Sequence, residues 1–189
     1  DLWNHGSGSL NRTITQARAV CYDDTTGNFL TDADLAQVGQ YVTQLRNGAK
    51  IDILAFDACL MSDIEIAYAL SPYVNYMVAS QETIPGNGFD YAAVTSRMAI
   101  QPSDARTHAI DIVQKYQKTY AHADQSYTMA ATDLSTINDL TDNVNLVAHT
   151  LTSLLQGSNK AAIKRLIQQS SSLQNCTSFD TTAYLDLGH

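Results

Sequence analysis

The sequence predicts an α/β fold with a mostly parallel sheet and helices on both faces. Two short apolar segments rich in β-forming residues, 51–56 and 74–80, alternate with longer segments whose apolar residues recur at helical spacing. Strands that alternate with helices form βαβ units, and such units build parallel sheets. Ligands collect at the carboxyl ends of the strands in these sheets, so the residues that follow each strand are the first candidates for a site.

Local signals place the individual elements. Thr31 to Asp34 and Ser62 to Glu65 are capping-box patterns, each of which predicts the start of a helix. Gly48 predicts the end of the first helix, and Ser71 with Pro72 that of the second. Periodicity predicts further helices at 89–99, 103–121, 137–154 and 159–171, and further strands at 127–132 and 183–187.

Composition limits the domain count and the partners. The chain has 189 residues, 44% hydrophobic and 16% charged, which suits one globular domain over 1–189. A net charge of −8 argues against nucleic acid as a partner and favours cationic substrates. No apolar run approaches the roughly 18 residues of a membrane span. Because the chain begins at Asp1 without an initiator Met, we expect a processed product or a piece of a longer precursor.

Three cysteines, Cys21, Cys59 and Cys176, are too few for a disulfide framework and form no CxxC metal pattern. Sequence leaves open whether Cys21 and Cys176 are bridged.

Cys59 has two interpretations. Free cysteine is among the most buried residue types, and composition alone favours a core residue. Its position between a predicted strand end and a predicted helix N-terminus instead favours a reactive thiolate. A partner for such a nucleophile is His5, which follows the short segment 1–3 that we interpret as the tail of a strand. Gly6 directly after it would let a backbone N–H approach a substrate oxyanion.

Other chemistries find little support in the sequence. Ser7 lies between two glycines but lacks the GxSxG pattern of serine hydrolases. No HExxH, dinucleotide fingerprint or phosphate-binding loop is present.

The ordered set of motifs resembles the clostripain-like cysteine peptidases, relatives of gingipains, legumains and caspases. The pair His5 and Gly6 follows a hydrophobic strand, and a second apolar strand ends in Asp57-Ala-Cys59. The resemblance extends to Asp23–Gly27, Leu30, Thr31, Leu60, Met61, Glu65, Val78–Glu82, Pro85, Gly86, Gly88–Tyr91 and Ala183–Leu187. It implies a caspase-like fold and a cysteine endopeptidase that forms a thioester acyl-enzyme.

The resemblance also implies residue roles. His5 matches the general base and Cys59 the nucleophile, while the N–H groups of Gly6 and Cys59 would form the oxyanion hole. Asp57 matches the residue that binds Arg or Lys at P1, the substrate residue before the cleaved bond, and a carboxylate suits that task. The alternative for Asp57 is a structural acceptor for N–H groups of the cysteine loop. A further pocket wall is expected from Ser80, Gln81 and Glu82.

Maturation and surroundings are further expectations from the resemblance. Members are zymogens cut after a basic residue, which makes Arg18 the predicted self-cleavage site and Arg12 the second candidate. We expect no metal or cofactor; the resemblance keeps calcium open, although the acidic pair at 23–24 fits solvated carboxylates better. The implied location is a secreted or periplasmic bacterial one, and the implied partners are peptide substrates and an upstream segment of the precursor.

Two departures from the family pattern leave alternatives. Ser9 and Leu10 stand where members commonly carry an aromatic residue, and the family domain is longer upstream, so we expect this chain to lack upstream strands of a longer precursor. The alternatives are a peptidase with a non-basic P1 preference, a catalytically silent peptide-binding module, and a non-enzymatic domain with Cys59 in its core.

Overall fold

The computed structural model describes residues 19–23, 25–100, 103–123, 127–172, 174–179 and 184–187. The strands are β1 (Ala19–Asp23), β2 (Asn28–Thr31), β3 (Ile51–Ala55), β4 (Val74–Ala79), β5 (Ala130–Asp133), β6 (Ser178–Phe179) and β7 (Tyr184–Leu185). The α-helices are α1 (Asp32–Leu45), α2 (Ile64–Leu70), α3 (Tyr91–Ile100), α4 (Ala105–Tyr120), α5 (Ile137–Leu155) and α6 (Lys160–Ser170).

The central sheet has the strand order β3-β4-β5 and is mixed. β3 and β4 are parallel and are joined by α2, as the sequence predicts. β5 is antiparallel to β4, with Ala130 opposite Ala79, and it begins three residues later than predicted. The residues that precede β5 therefore lie at the same edge of the sheet as the residues that follow β4.

Helices cover both faces of this sheet, which confirms the predicted α/β architecture. Alternate residues of β4 point to opposite sides. Met77 and Ala79 belong to a core with Leu70 and other residues of α2, whereas Val78 belongs to a second core with Tyr116 and other residues of α4. The strand is thus buried on both sides, which explains its nearly continuous apolar sequence.

The first capping box is present as predicted. The Thr31 hydroxyl accepts from the Asp34 N–H at 3.2 Å, and the Asp34 carboxylate accepts from the Thr31 N–H at 2.8 Å. Two of the N–H groups at the start of α1 are thereby satisfied.

The second predicted capping box is wrong by one residue. The N-cap of α2 is Asp63, whose carboxylate accepts from the Ile66 N–H at 3.1 Å. The Ser62 N–H instead donates to the Ser80 carbonyl at 3.0 Å, which ties it to the end of β4. The helix ends with Ser71 as its C-cap, in agreement with the predicted stop.

The chain divides into two compact units, one ending at Ile137 and one beginning at Asn138. In the second unit, the described residues form most of α5, the helix α6 and an antiparallel pair of β6 with β7. Cys176 lies buried next to β6 with a free thiol. No helix in the described ranges is both long and apolar enough to cross a membrane.

Replacing Thr31 with Ala tests the first capping box. We expect the free energy of unfolding to fall by about 1 kcal/mol, because an N–H of α1 loses its acceptor. Urea denaturation measures the change. Thr119→Ala, on the exposed side of α4, is the matched control and should stay within about 0.5 kcal/mol of the wild type. Equal losses for the two variants would contradict the capping role.

Candidate active site

Asp57 and Cys59 lie between β3 and α2, at the carboxyl end of β3. The Phe56 N–H still donates to the Val78 carbonyl at 2.8 Å and continues the pairing of the two strands. Beyond this point the Leu60 N–H donates to the Glu82 carbonyl at 3.2 Å. The segment after β3 and the segment after β4 therefore lie side by side, as the rule for parallel sheets predicts.

The thiol of Cys59 is both buried and contacted by a backbone donor. The side chain is 3% exposed, which agrees with the core interpretation from composition. Its Sγ accepts from the Ile84 N–H at 3.2 Å. A hydrogen bond from an N–H group stabilises negative charge on sulfur, so burial and nucleophilic character are compatible here.

Leu60, directly after Cys59, has a left-handed backbone with φ of +59°. This conformation costs a non-glycine residue about 1–2 kcal/mol, and such outliers are concentrated at functional sites. The bond from its N–H to Glu82 helps to hold the conformation. The sharp turn lets the chain leave the sheet edge at Cys59 and enter α2 a few residues later.

The carboxylate of Asp57 is held by donors from the start of α3. Its Oδ2 accepts from the Tyr91 hydroxyl at 2.5 Å and from the Phe89 N–H at 3.2 Å. Its Oδ1 is buried and has no hydrogen-bond partner within the part of the chain that the structure describes. The sequence also allowed Asp57 to accept hydrogen bonds from N–H groups of the cysteine loop. Within the described residues no such bond occurs; the donors come from residues more than thirty positions later.

Gly88 brings the backbone against that carboxylate. It has a φ of +62°, and a Cβ at this position would lie 2.2 Å from Asp57 Oδ2. Its N–H donates to the Pro85 carbonyl at 2.9 Å, and its own carbonyl accepts from the Tyr120 hydroxyl at 2.6 Å. The segment that follows β4 is thus fixed against Asp57 on one side and α4 on the other.

Four aromatic rings pack against one another beside this segment: Phe89, which belongs to it, and Tyr116, Tyr120 and Tyr127. The Tyr116 ring is 5.6 Å from Phe89 and 4.8 Å from Tyr120, measured between centroids. Tyr116 is 1% exposed, and its hydroxyl has no partner among the described residues.

Three tyrosines keep their protons at neutral pH. The hydrogen bond to Asp57 raises the pKa of Tyr91 to about 12, with burial and the charge of Asp57 acting in the same direction. Burial, followed by the charge of Asp57, raises the pKa of Tyr120. Burial is also the main cause that raises the pKa of Tyr116. The hydroxyl of Tyr91 is consequently available as a donor to the carboxylate.

The residues after β4 that were predicted to form a pocket wall are held by hydrogen bonds to one another and to the Thr128 side chain. Ser80 is fully buried, and its hydroxyl donates to the Glu82 carbonyl at 2.8 Å and lies 2.9 Å from the Thr128 hydroxyl. Thr128 Oγ1 also accepts from the N–H groups of Gln81 and Glu82, at 3.1 and 3.0 Å. Ser80 therefore fixes the segment, whereas the half-buried Gln81 and Glu82 stay predicted as a pocket wall.

Sequence reasoning missed several residues around the site. Gly88, Phe89 and Tyr91 belong to motifs that resemble the family, and Ile84 lies between two of those motifs, but the contacts of these residues with Cys59 and Asp57 were not predicted. Thr128 precedes the antiparallel strand, and a rule about the carboxyl ends of parallel strands does not point to it.

Other predicted residues lie outside the described ranges: His5, Gly6, Arg12 and Arg18. The dyad, the oxyanion hole with Gly6 and the cleavage site stay predictions. No group of three or more metal-ligating side chains occurs within the described ranges.

A family model described as the clostripain family matches residues 2–189. The chain belongs to the clostripain family. Clostripain of Hathewaya histolytica is 34% identical over 101 residues, which are 50% of the chain and 19% of clostripain, so the chain spans a small part of that relative.

Two solved structures from Bacteroides thetaiotaomicron share the fold. A secreted C11 cysteine protease in complex with an irreversible peptide inhibitor has a TM-score of 0.55 and 24% identity, over 73% of this chain and 40% of that one. The secreted C11 cysteine protease called iotapain has a TM-score of 0.56 and 22% identity, over 74% of this chain and 36% of that one.

Replacing Gly88 with Ala tests the close packing against Asp57. We expect a loss of more than about 2 kcal/mol in the free energy of unfolding, from backbone strain together with the clash. Gly27→Ala is the matched control, because Gly27 has a φ of +71° with open space around it. Urea denaturation of both variants separates strain from clash, and equal losses would contradict the packing.

Proposed function

We propose that the protein is a cysteine endopeptidase that cleaves after Arg or Lys, with Cys59 as nucleophile and His5 as general base. One observation supports it above the others. The candidate nucleophile, contacted by a backbone N–H, lies two residues from a carboxylate whose described hydrogen-bond donors are both neutral. Membership of the clostripain family supports the same reaction class.

Formation of the acyl-enzyme needs a thiolate and two proton transfers. In the proposed mechanism His5 takes the proton of the Cys59 thiol, and Sγ attacks the carbonyl carbon of the peptide bond. The N–H groups of Gly6 and Cys59 stabilise the oxyanion. The imidazolium returns its proton to the leaving amine as the C–N bond breaks, which leaves a thioester. In the second half of the reaction His5 takes a proton from water as its oxygen attacks the thioester carbonyl carbon; the C–S bond then breaks, the carboxylic acid product leaves, and the imidazolium returns the proton to Cys59 Sγ.

The environment of Asp57 supports the basic preference at P1. A partly buried carboxylate is stabilised best by a cation, and among described residues Asp57 has only a phenol and an amide N–H as donors. A guanidinium or ammonium group of the substrate would provide the missing positive charge. The net charge of −8 also favours the approach of cationic peptides.

Paired fluorogenic substrates with Arg, Lys, Asp and Asn at P1 test the proposal in the full-length protein. We expect Cys59→Ala to reduce turnover of the Arg and Lys substrates by 10⁴-fold or more, on the order of losses for other nucleophiles. Asp57→Asn should reduce kcat/KM for these substrates by about 10- to 100-fold, because a charge-assisted hydrogen bond is lost.

Asp52→Asn is the matched control for charge. It removes the same charge from an exposed position of β3, where Asp52 pairs with Arg46. Its kcat/KM should stay close to that of the wild type. Retained turnover in Cys59→Ala would contradict the nucleophile, and unchanged Arg and Lys turnover in Asp57→Asn would contradict the pocket while sparing the nucleophile. Labelling of Cys59 by an arginyl acyloxymethyl ketone distinguishes a peptidase from a silent binding module.

We propose self-processing at the bond after Arg18, directly before β1, with Arg12 as the second candidate. Intact-mass analysis should show the cut in the wild type and no cut in Cys59→Ala, because the nucleophile is then absent. Arg18→Ala should remove the cut after Arg18, and Arg12→Ala should leave it. A cut that persists in Cys59→Ala would contradict self-processing.

A further inference from the structure

Tyr91 lies over the carboxylate that the proposed function assigns to the P1 side chain. It is the first residue of α3, and its side chain is among the exposed ones, at 60%. Its hydroxyl nevertheless donates to Asp57 Oδ2 at 2.5 Å, which is the distance of a short, charge-assisted bond. The one O–H donor of an exposed tyrosine is thus bonded to a carboxylate beside the candidate nucleophile.

The other sides of this carboxylate are covered by the protein itself. The Phe89 N–H donates to Oδ2, Gly88 packs against both oxygens, and Oδ1 is buried. Among the described contacts of Asp57, the Tyr91 hydroxyl is the one that comes from an exposed side chain. We therefore expect a substrate cation that approaches Oδ2 from solvent to meet Tyr91.

We propose that Tyr91 is a specificity-determining residue whose hydroxyl competes with the P1 side chain for Asp57. This inference rests on the proposed function. A P1 Arg or Lys takes the place of the hydroxyl on Oδ2, and the phenol turns its O–H toward water. The Tyr91 ring touches the core only through an edge contact with Phe89, at 6.1 Å between centroids, and is not itself a member of the buried cluster, so its movement gives up that contact without opening the core.

The competition selects for charge. A cation that replaces a neutral phenol gains the Coulomb attraction of the carboxylate in addition to a hydrogen bond. A neutral P1 side chain such as Gln exchanges one neutral donor for another and gains nothing. A P1 Ala does not reach Asp57 and leaves the phenol in place. Tyr91 consequently lowers the affinity for every P1 side chain that binds Asp57. It excludes those P1 side chains whose hydrogen bond to Asp57 is no stronger than that of the Tyr91 hydroxyl.

Tyr91→Phe tests the proposal because it removes only the hydroxyl. We expect KM for Arg and Lys substrates to fall about fivefold with kcat unchanged, since an exposed competing bond is lost and the nucleophile is untouched. KM for a P1 Gln substrate should fall as well, and that for P1 Ala should not change. Tyr41→Phe is the matched control, with a tyrosine that is 62% exposed on α1.

A binding measurement removes the dependence on turnover. In the Cys59→Ala protein, the Kd for a peptide with Arg at P1 should also fall about fivefold when Tyr91→Phe is added. A thermal melt of each variant checks folding, and the comparison of P1 Arg with P1 Ala on one preparation cancels any loss of folded protein.

The outcomes are distinguishable. Unchanged or raised KM and Kd for P1 Arg in Tyr91→Phe overturn the competition, and a raised value assigns the hydroxyl to holding the substrate. If Asp57→Asn reduces Arg and Lys turnover in the same experiment, the proposed function stands without this inference. If the wild type cleaves no Arg or Lys substrate, the P1 assignment fails and the competition fails with it.

Discussion

The parallel pairing of β3 with β4 is the constraint on which the site depends. Beyond β3, three further bonds tie the chain to β4 and to the segment after it: Phe56 to Val78, Leu60 to Glu82 and Ser62 to Ser80. These bonds place the segment with Cys59 next to the segment with Ile84, so that a backbone N–H reaches the thiol. Without this alignment, neither the thiol of Cys59 nor the carboxylate of Asp57 would have a defined environment.

A second layer of contacts holds the segment after β4 against Asp57. The segment after β4 turns at Gly88 and returns toward Asp57, while Thr128 and Tyr120 hold it from the sheet and from α4. Backbone groups and neutral hydroxyls make most of these contacts. Among the described residues, the negative charge of Asp57 is thereby solvated by neutral donors and not paired with a cation, which suits the proposed role in binding one.

Much of this arrangement follows from the sequence, because it depends on local patterns. The apolar segments predicted β3 and β4, and the carboxyl end of β3 predicted where Asp57 and Cys59 lie. The error at Ser62 arose because an adjacent aspartate is an equally good cap, and tertiary bonding to Ser80 decided between them. The direction of β5 and the contacts of Tyr91 and Thr128 depend on pairings across many residues, for which a single sequence offers no periodic signal.

The bonds to Asp57 also impose an order on folding. The aspartate stands 32 residues before Phe89 and 34 before Tyr91, and Tyr120 stands another 32 residues beyond Gly88. Contacts of such separation form late, since the entropy of closing the intervening chain must be overcome first. A chain that has formed only β3, α2 and β4 has its cysteine in place but lacks the pocket around its carboxylate. The surroundings of this carboxylate are therefore complete only when α3 and α4 have packed, so the proposed selection of a basic side chain would have to await those two helices.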